Sequence, residues 1–266
     1  MSTNHTLITR IQAQLSAAAS ENFDTVALSP FTLYINPDSD SPWNNYAIPD
    51  EPVTGDMAST IDALCVAFRA QERQPRLEYI DEFTQALAPA LAAYGFTEEM
   101  HTQLMICTPA TYLMAPPSAT LHIDRIPDNG SLELFQDLMT VQSRAFGDDN
   151  APRVDVVEAD QFRTRFASTQ FFAAWLTEHQ KQSMVSVASL MAPFDGITEI
   201  AGIATLQAYR RQGIATALTA HAVQQAFAQG ITGVFLTAAD AAAGRVYERV
   251  GFRAIGTGRA YSLPPE

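Results

Sequence analysis

The chain has 266 residues, of which 47% are hydrophobic and 17% are charged, a composition typical of one large or two smaller globular domains. Its net charge of −13 argues against nucleic acid as a partner, because phosphate backbones require a basic surface. No apolar run reaches the ~20 residues of a membrane-spanning helix, and no basic segment followed by an apolar one opens the chain. We therefore expect a cytoplasmic protein that binds neither membranes nor nucleic acid.

The cysteines and histidines give no sign of a metal site. Cys65 and Cys107 lie in apolar stretches without C-x-x-C spacing, so we predict two buried thiols in a reducing compartment. The five histidines are scattered and form no ligand pattern, so we expect no bound metal.

In the first half, apolar periodicity predicts helices near residues 7–19, 61–68 and 83–94, the last ending at Gly95. Strands are predicted at 26–35, 46–48, 77–80 and 104–107. Prolines between 108 and 118 and a turn at 127–130 place a domain boundary near residue 126. The expected domains are residues 1–126 and residues 127–266.

In the second half, helices are predicted at 132–146, 161–166, 214–228 and 241–250. Strands are predicted at 171–176, 184–190, 198–206 and 233–237, with further strand after Gly251 and Phe252. The expected fold class is α+β, with a mixed, mostly antiparallel central sheet flanked by helices.

The two halves share a pattern of strand, helix and then Gly-Phe, at Gly95 and Gly251. An internal duplication of one α+β unit explains this pattern, and coincidence among common helix stops is the alternative. Charge differs between the halves: residues 1–126 hold 15 acids and 5 arginines, net −10, whereas residues 127–266 hold 14 acids and 11 basic residues, net −3. An anionic cofactor therefore fits the second half better.

A candidate anion-binding loop precedes the helix at 214–228. The amides at a helix start are unpaired, and the helix dipole favours an anion there. Gly213 allows close approach of the backbone, and Ala215 keeps the first turn small. Arg210 and Arg211 add positive charge at the rim. An ordinary turn without a ligand is the alternative.

This loop, Arg-Arg-Gln-Gly-Ile-Ala at 210–215, resembles the Gln/Arg-x-x-Gly-x-Gly/Ala motif of the GNAT acyltransferase superfamily. The run from Asp240 to Phe252 resembles the downstream partner of that motif, and together the similarity covers about residues 183–256. The resemblance implies a GNAT fold, two tandem GNAT-like units, and acetyl-CoA as co-substrate. It also implies cofactor contacts along the preceding strand, around the loop and at the last helix, from Ile203, Ala204, Thr205, Arg210, Arg211, Gln212, Gly213, Ile214, Ala215, Thr216, Asp240, Ala243 and Tyr247.

Two positions suggest chemistry. Tyr247 occupies the place where a family tyrosine can protonate the departing thiolate, although a core tyrosine is the alternative. Glu199 lies where some GNAT enzymes have a base, and alternation places it on the side of Ala201, Ile203 and Thr205 if no bulge intervenes. A cross-strand polar pair is the alternative for Glu199, and a helix N-cap is the alternative for Asp240.

The corresponding loop of the first half, at 50–56, is acidic and lacks the motif, so this half is expected to hold no cofactor site. It is expected either to shape an acceptor pocket or to serve a structural role. The resemblance implies acetyl transfer from acetyl-CoA to a primary amine of a small molecule or peptide in a ternary complex. The acidic character of the first half favours a cationic acceptor. A non-catalytic CoA-binding regulatory module is the alternative.

Overall fold

The computed structural model describes residues 3–114, 121–178 and 181–264, which leaves His179 and part of the proline-containing 108–118 segment outside the described residues. The helices are α1 (Thr3–Asn22), α2 (Met57–Ala70), α3 (Leu87–Tyr94), α4 (Leu132–Phe146), α5 (Val156–Arg165), α6 (Ile214–Ala228) and α7 (Ala241–Glu248). The strands are β1 (Asp24–Leu28), β2 (Phe31–Ile35), β3 (Tyr46–Pro49), β4 (Arg76–Ile80), β5 (Thr97–Cys107), β6 (Leu121–Arg125), β7 (Gln170–Glu178), β8 (Lys181–Leu190), β9 (Ile197–Thr205), β10 (Gly233–Ala238) and β11 (Arg253–Ser262).

The chain forms two compact units whose limits differ from the predicted boundary at 126. The first unit comprises residues 1–105, 237–241 and 254–266, and the second comprises 106–236 and 242–253. The C-terminal strand belongs to the first unit because β11 is hydrogen bonded between β4 and β5. Proline content marked the loop after β5, but such local signals do not show which strands pair.

The first unit is built on a sheet with strand order β1-β2-β3-β4-β11-β5. Antiparallel pairing joins β1 to β2 and β2 to β3, and β3 runs parallel to β4. The apolar face predicted for α2 is buried, and it packs on side chains of the sheet and of α3. The buried α2 residues are Ile61, Leu64, Cys65 and Phe68.

The second unit has strand order β10-β9-β8-β7-β6, antiparallel except for the parallel pair of β9 and β10. Helix α4 covers one face, where Leu138 and Val141 pack with Val187 and Ala204. Helix α6 lies on the other face of the sheet. The ring of its His221 contacts the ring of Phe172 in β7, and Phe172 points away from α4 because the residues on either side of it in β7 face α4. The predicted α+β class with a mostly antiparallel sheet is confirmed.

The two units repeat one order of elements, which supports the predicted duplication. In each, an antiparallel meander is followed by a helix, a parallel strand and a second helix. The second helix is followed in both units by a left-handed glycine, Gly95 at φ 100° and Gly251 at φ 103°.

Several strand predictions were incomplete. The predicted run 26–35 is two strands, separated by a turn at Ser29 and Pro30. Strand β5 begins at Thr97 rather than at 104, because its polar first half is supported by charged partners: Glu99 accepts a hydrogen bond from the buried Arg76 at 2.7 Å. The short edge strand β6 was not predicted.

Both cysteines are buried free thiols, as predicted. Within residues 3–114, 121–178 and 181–264, no group of three or more histidine, cysteine, aspartate or glutamate side chains could hold a metal ion. Over the same residues, no helix is long and apolar enough to cross a membrane.

A close backbone approach in the second unit explains why Gly251 carries no side chain. A Cβ added there would lie 1.9 Å from the carbonyl oxygen of Thr111, far inside van der Waals contact. The adjacent backbone is tied to this loop, because the Leu113 amide donates to the Val250 carbonyl at 2.9 Å.

We predict that Gly251→Ala destabilises the protein far more than Gly230→Ala. Both glycines have a left-handed φ, so both substitutions lose about 1–2 kcal/mol from backbone strain. Only the Gly251→Ala variant also loses about 1–3 kcal/mol of stability through the clash of its Cβ with Thr111. At Gly230 nothing lies within 4 Å of an added Cβ. Urea unfolding of the two variants measures the difference, and equal losses would contradict this account.

Candidate functional site

The loop at 206–213 turns the chain from strand β9 into helix α6. A single 3-10 turn, Gln207–Tyr209, starts the loop, and Arg210 continues it in extended conformation. Arg211 and Gly213 then adopt left-handed conformations, with φ of 61° and 80°. Gly213 is exposed, and a Cβ there would meet nothing within 4 Å, so the backbone borders open space.

The start of α6 has no side-chain cap. Gly213 occupies the N-cap position, and among the described residues no side chain accepts a hydrogen bond from the first turn. The amides that open a helix have no intrahelical partner, and with the helix dipole they form a site for an anion. Ile214 is buried, whereas Ala215 and Thr216 are half-buried, so the helix is anchored while its first turn stays accessible.

The helix at the same place in the first unit is capped differently. Asp56 is the N-cap of α2, and its carboxylate accepts a hydrogen bond from the Ser59 amide at 3.2 Å. The neighbouring acids are also engaged: Asp50 accepts from Thr32 at 2.7 Å and Glu51 accepts from Ser29 at 3.0 Å. A carboxylate thus takes the position that an anionic ligand would need at α2.

Strand β9 continues beyond its last pair with β10. The parallel register joins Ile197, Thr198 and Glu199 of β9 to residues 233–235 of β10 and ends there. The rest of β9 extends to Thr205, and it contains the predicted cofactor-contacting residues Ile203 and Ala204. Past Glu199, the described register therefore gives β9 no partner on its β10 side.

A bulge in β9 changes which residues share a face with Glu199. The register with β8 shifts between Val187 and Ser189, and Gly202 at the irregularity has a left-handed φ of 61°. Ala204 faces α4 opposite Val187, and Ala201 shares that face because it pairs with Ser189. Glu199 therefore lies with Ala201 and Ala204, not with Thr205. The alternation predicted without a bulge does not hold.

Arg210 has a structural role that the motif did not suggest. Its Nε donates to the carbonyl of Thr205 at 3.1 Å, and its Nη2 donates to the carbonyl of Ala145 at 2.6 Å. Ala145 lies in the last turn of α4, so one guanidinium ties the end of β9 to the end of that helix. Arg210 and Arg211 are both exposed, but among the described residues the Arg211 guanidinium has no hydrogen-bond or ion-pair partner.

The remaining predicted residues lie at or before α7. Asp240 is exposed and immediately precedes the helix, in the N-cap position, and it is counted with the first unit. Ala243 and Tyr247 are half-buried on α7, and the Tyr247 ring meets Phe252 edge-on at 6.0 Å. The role of Tyr247 stays a prediction.

Sequence reasoning missed several polar groups near these elements. Gln142 of α4 points at the bulge, with its Nε2 2.5 Å from the position of a Cβ on Gly202. The Tyr112 hydroxyl donates to the carbonyl of Ala220 in α6 at 3.1 Å, and burial raises the pKa of that hydroxyl. Burial also lowers the pKa of His221, which favours a neutral packing residue. No sequence motif marks these residues, because their contacts are long-range.

Comparison with known proteins identifies the second unit. Residues 134–252 match the model of the acetyltransferase (GNAT) family. None of the curated proteins compared with the chain matches it.

Three solved structures resemble the whole chain. The GCN5-related N-acetyltransferase from Kribbella flavida is 25% identical and aligns over 98% of this chain and 96% of its own, with a TM-score of 0.78. A tandem GNAT protein from the clavulanic acid biosynthesis pathway is 11% identical, over 89% and 79%, with a TM-score of 0.64. The GCN5-related N-acetyltransferase from Sphaerobacter thermophilus is 14% identical, over 97% and 92%, with a TM-score of 0.61.

The last two likenesses show the fold alone, while the family model covers the loop, the bulged strand and the helix that carries Tyr247. Residues 134–252 therefore form a domain of the GNAT acetyltransferase family.

Proposed function

We propose that the protein transfers an acetyl group from acetyl-CoA to a primary amine. The observation that carries this proposal is the uncapped start of α6, where Gly213 borders open space and no side chain occupies the amides. A pyrophosphate there receives hydrogen bonds from the backbone and is stabilised by the helix dipole. Acetyl-CoA is the co-substrate of proteins with this fold, and its pyrophosphate is the anion we assign to the loop.

The pantetheine arm is assigned to the free side of β9. A strand without a partner presents amides and carbonyls, and the arm carries two amide groups that can pair with them. Ile203, Ala204 and Thr205 lie between the bulge and the loop, so an arm placed along them directs the thioester toward Gly202. A strand amide near the bulge then polarises the thioester carbonyl.

The chemistry needs three proton transfers. The ammonium of the acceptor first loses a proton to Glu199, directly or through water, because only the free amine is nucleophilic. The amine nitrogen then attacks the thioester carbon, the C–N bond forms and the C–S bond breaks. Tyr247 protonates the departing thiolate, and the second proton then leaves the nitrogen and restores the Tyr247 hydroxyl, directly or through water. The products are an acetamide and free CoA, and no metal takes part in these steps.

The acceptor is proposed to be a small molecule or peptide that carries a positive charge. Residues 1–126 have a net charge of −10. An acidic surface attracts cations that come within the Debye length, beyond which salt screens the charge. The first unit, which has a carboxylate-capped helix start at Asp56, contributes charge and structure but no second cofactor site. The protein is proposed to act in the cytoplasm.

Loss of the backbone anion site is expected from Gly213→Glu. The carboxylate repels the pyrophosphate, and a side chain at φ 80° strains the loop, so the acetyl-CoA Kd should rise at least about 100-fold. Gly230→Glu is the matched control, because it places the same charge at a left-handed glycine beyond the opposite end of α6. Calorimetric titration measures both variants, and an unchanged Kd in Gly213→Glu would remove the loop from the cofactor site.

Arg210 and Arg211 are expected to affect binding in different ways. Arg210→Ala should lower stability by about 1–2 kcal/mol through its two lost backbone contacts and weaken binding equally at low and high salt. Arg211→Ala should leave stability unchanged and weaken binding mainly at low salt, because exposed charges are screened. Titrations at about 50 and about 500 mM salt, between which the Debye length falls about three-fold, separate the two cases. A salt-dependent loss in Arg210→Ala would assign its charge to the cofactor.

Turnover tests the proposed reaction itself. Acetyl-CoA mixed with the protein and a panel of primary amines should release free CoA thiol and yield an acetylated amine. Tyr247→Phe should lower kcat by about 100-fold with an unchanged Kd for acetyl-CoA, because only the proton donor is removed. Tyr94→Phe, in the first unit, is the control and should keep full activity. Tight acetyl-CoA binding with no release of CoA for any amine would favour a regulatory CoA-binding module.

A further inference from the structure

Two polar side chains converge on the bulge of β9. A Cβ built on Gly202 would lie 2.5 Å from Nε2 of Gln142 and 3.6 Å from Oγ of Ser189, so these two atoms are at most about 6 Å apart. Gln142 reaches the bulge from α4, and Ser189 reaches it from β8. Gly202 carries no side chain to cover them, so the space above the bulge is bordered by an amide and a hydroxyl.

The Gln142 amide and the Ser189 hydroxyl differ from the nearby Ser186 in their hydrogen bonding. Neither the Gln142 amide nor the Ser189 hydroxyl has a hydrogen-bond partner among the described residues, and both residues are only half-buried. Ser186 on the opposite face donates to the carbonyl of Ala204 at 2.7 Å and meets the Thr205 hydroxyl at 2.8 Å. Polar groups that are partly desolvated and unpaired are costly, and a ligand that pairs with them recovers that cost.

Glu199 lies on the same face of β9 as this pair. Ser189 is opposite Ala201, and Glu199 is two residues before Ala201, about 7 Å along the strand. One face of the sheet therefore carries a carboxylate, and next to it an uncharged amide and hydroxyl. A carboxylate recognises an ammonium, whereas a glutamine amide and a serine hydroxyl each donate and accept hydrogen bonds.

We propose that Gln142 and Ser189 select the acceptor: a small primary amine that carries an uncharged hydrogen-bonding group, a hydroxyl or an amide, two or three bonds from its nitrogen. This inference rests on the proposed function, since it takes the thioester to lie at the bulge. An amine with an alkyl group in place of the hydroxyl leaves Gln142 and Ser189 unpaired. A free amino acid places its carboxylate near Glu199, and like charges repel.

The closest matched pair of probes is 2-aminoethanol and propylamine, which differ by a hydroxyl in place of a methyl group. With saturating acetyl-CoA, the wild-type protein should acetylate 2-aminoethanol with a kcat/KM at least about 10-fold above that for propylamine. Glycinamide should exceed glycine by a similar factor, because the amide is neutral and the carboxylate is charged. Release of CoA thiol measures all four rates.

The variants Gln142→Leu and Ser189→Ala should each reduce this preference. Each should lower kcat/KM for 2-aminoethanol by about 10-fold, leave that for propylamine unchanged, and leave the calorimetric Kd for acetyl-CoA unchanged. Gln224→Leu on the exposed side of α6 is the control, and it should retain the full preference. The Ser189 variant removes one hydroxyl only, so it keeps the test decisive if the leucine variant folds poorly.

Different results would overturn the acceptor selection by Gln142 and Ser189 and the proposed acetyl transfer. Equal kcat/KM values for the two probes in the wild type, or an equal slowing of both by the variants, would overturn this inference while acetyl-CoA binding stays intact. Acetylation of neither probe by a protein that binds acetyl-CoA would also count against it. Absence of acetyl-CoA binding by the wild type would overturn the proposed function, and this inference with it.

Discussion

The start of α6 sets the requirements for the rest of the second unit. A helix that begins with a glycine and has no capping side chain leaves its first amides without a protein partner. Such a start is stable only if the helix is anchored elsewhere, and α6 is anchored by buried residues along its length, from Ile214 to Ala226. The loop must also hold its shape without a ligand, and the contacts of Arg210 with the ends of β9 and α4 provide that support.

The two units begin the equivalent helix in different ways. Both contain a meander, a helix and a parallel strand, but the helix of the first unit begins at Asp56 and that of the second begins at Gly213. A carboxylate at the N-cap satisfies the helix amides and stabilises the fold by about 1 kcal/mol. A glycine at the N-cap costs only roughly a few tenths of a kcal/mol relative to such a residue, and leaves the first amides of the helix without a side-chain partner. The net charge also differs between the two parts of the chain: residues 1–126, which contain the carboxylate-capped helix, are more acidic than residues 127–266.

Local signals predicted α4 and α6 well, whereas α5 begins five residues before its predicted start at 161, and the strands were predicted less completely. The bounds of α4 and α6 were predicted correctly, and in the structure Ser131 and Gly213 occupy the N-cap positions of these helices. The bulge at Gly202 was not predicted, since a glycine in a strand has several explanations, and the bulge determines the side on which Glu199 lies. Long-range pairing was also out of reach: no local pattern shows that β11 joins the first unit.

The site was predictable to the extent that it is built from backbone. The sequence marks the loop and its glycine, which adopts a left-handed φ of 80°, and the anion site at this loop stays a prediction. Contacts between side chains and distant elements were not predictable. Arg210 of the loop donates to the carbonyl of Ala145 in α4, and Gln142 of α4 reaches the bulge of β9, which is distant in sequence. These contacts carry the finer proposals on positioning and on the choice of acceptor.

The most direct test of the central claim is a crystal structure of the protein with CoA. We predict one CoA per chain, its pyrophosphate within hydrogen-bond distance of the amides that open α6 and its pantetheine arm alongside β9 between Gly202 and Thr205. A CoA bound at the start of α2, or a pyrophosphate held by side chains away from the Gly213 loop, would contradict the account.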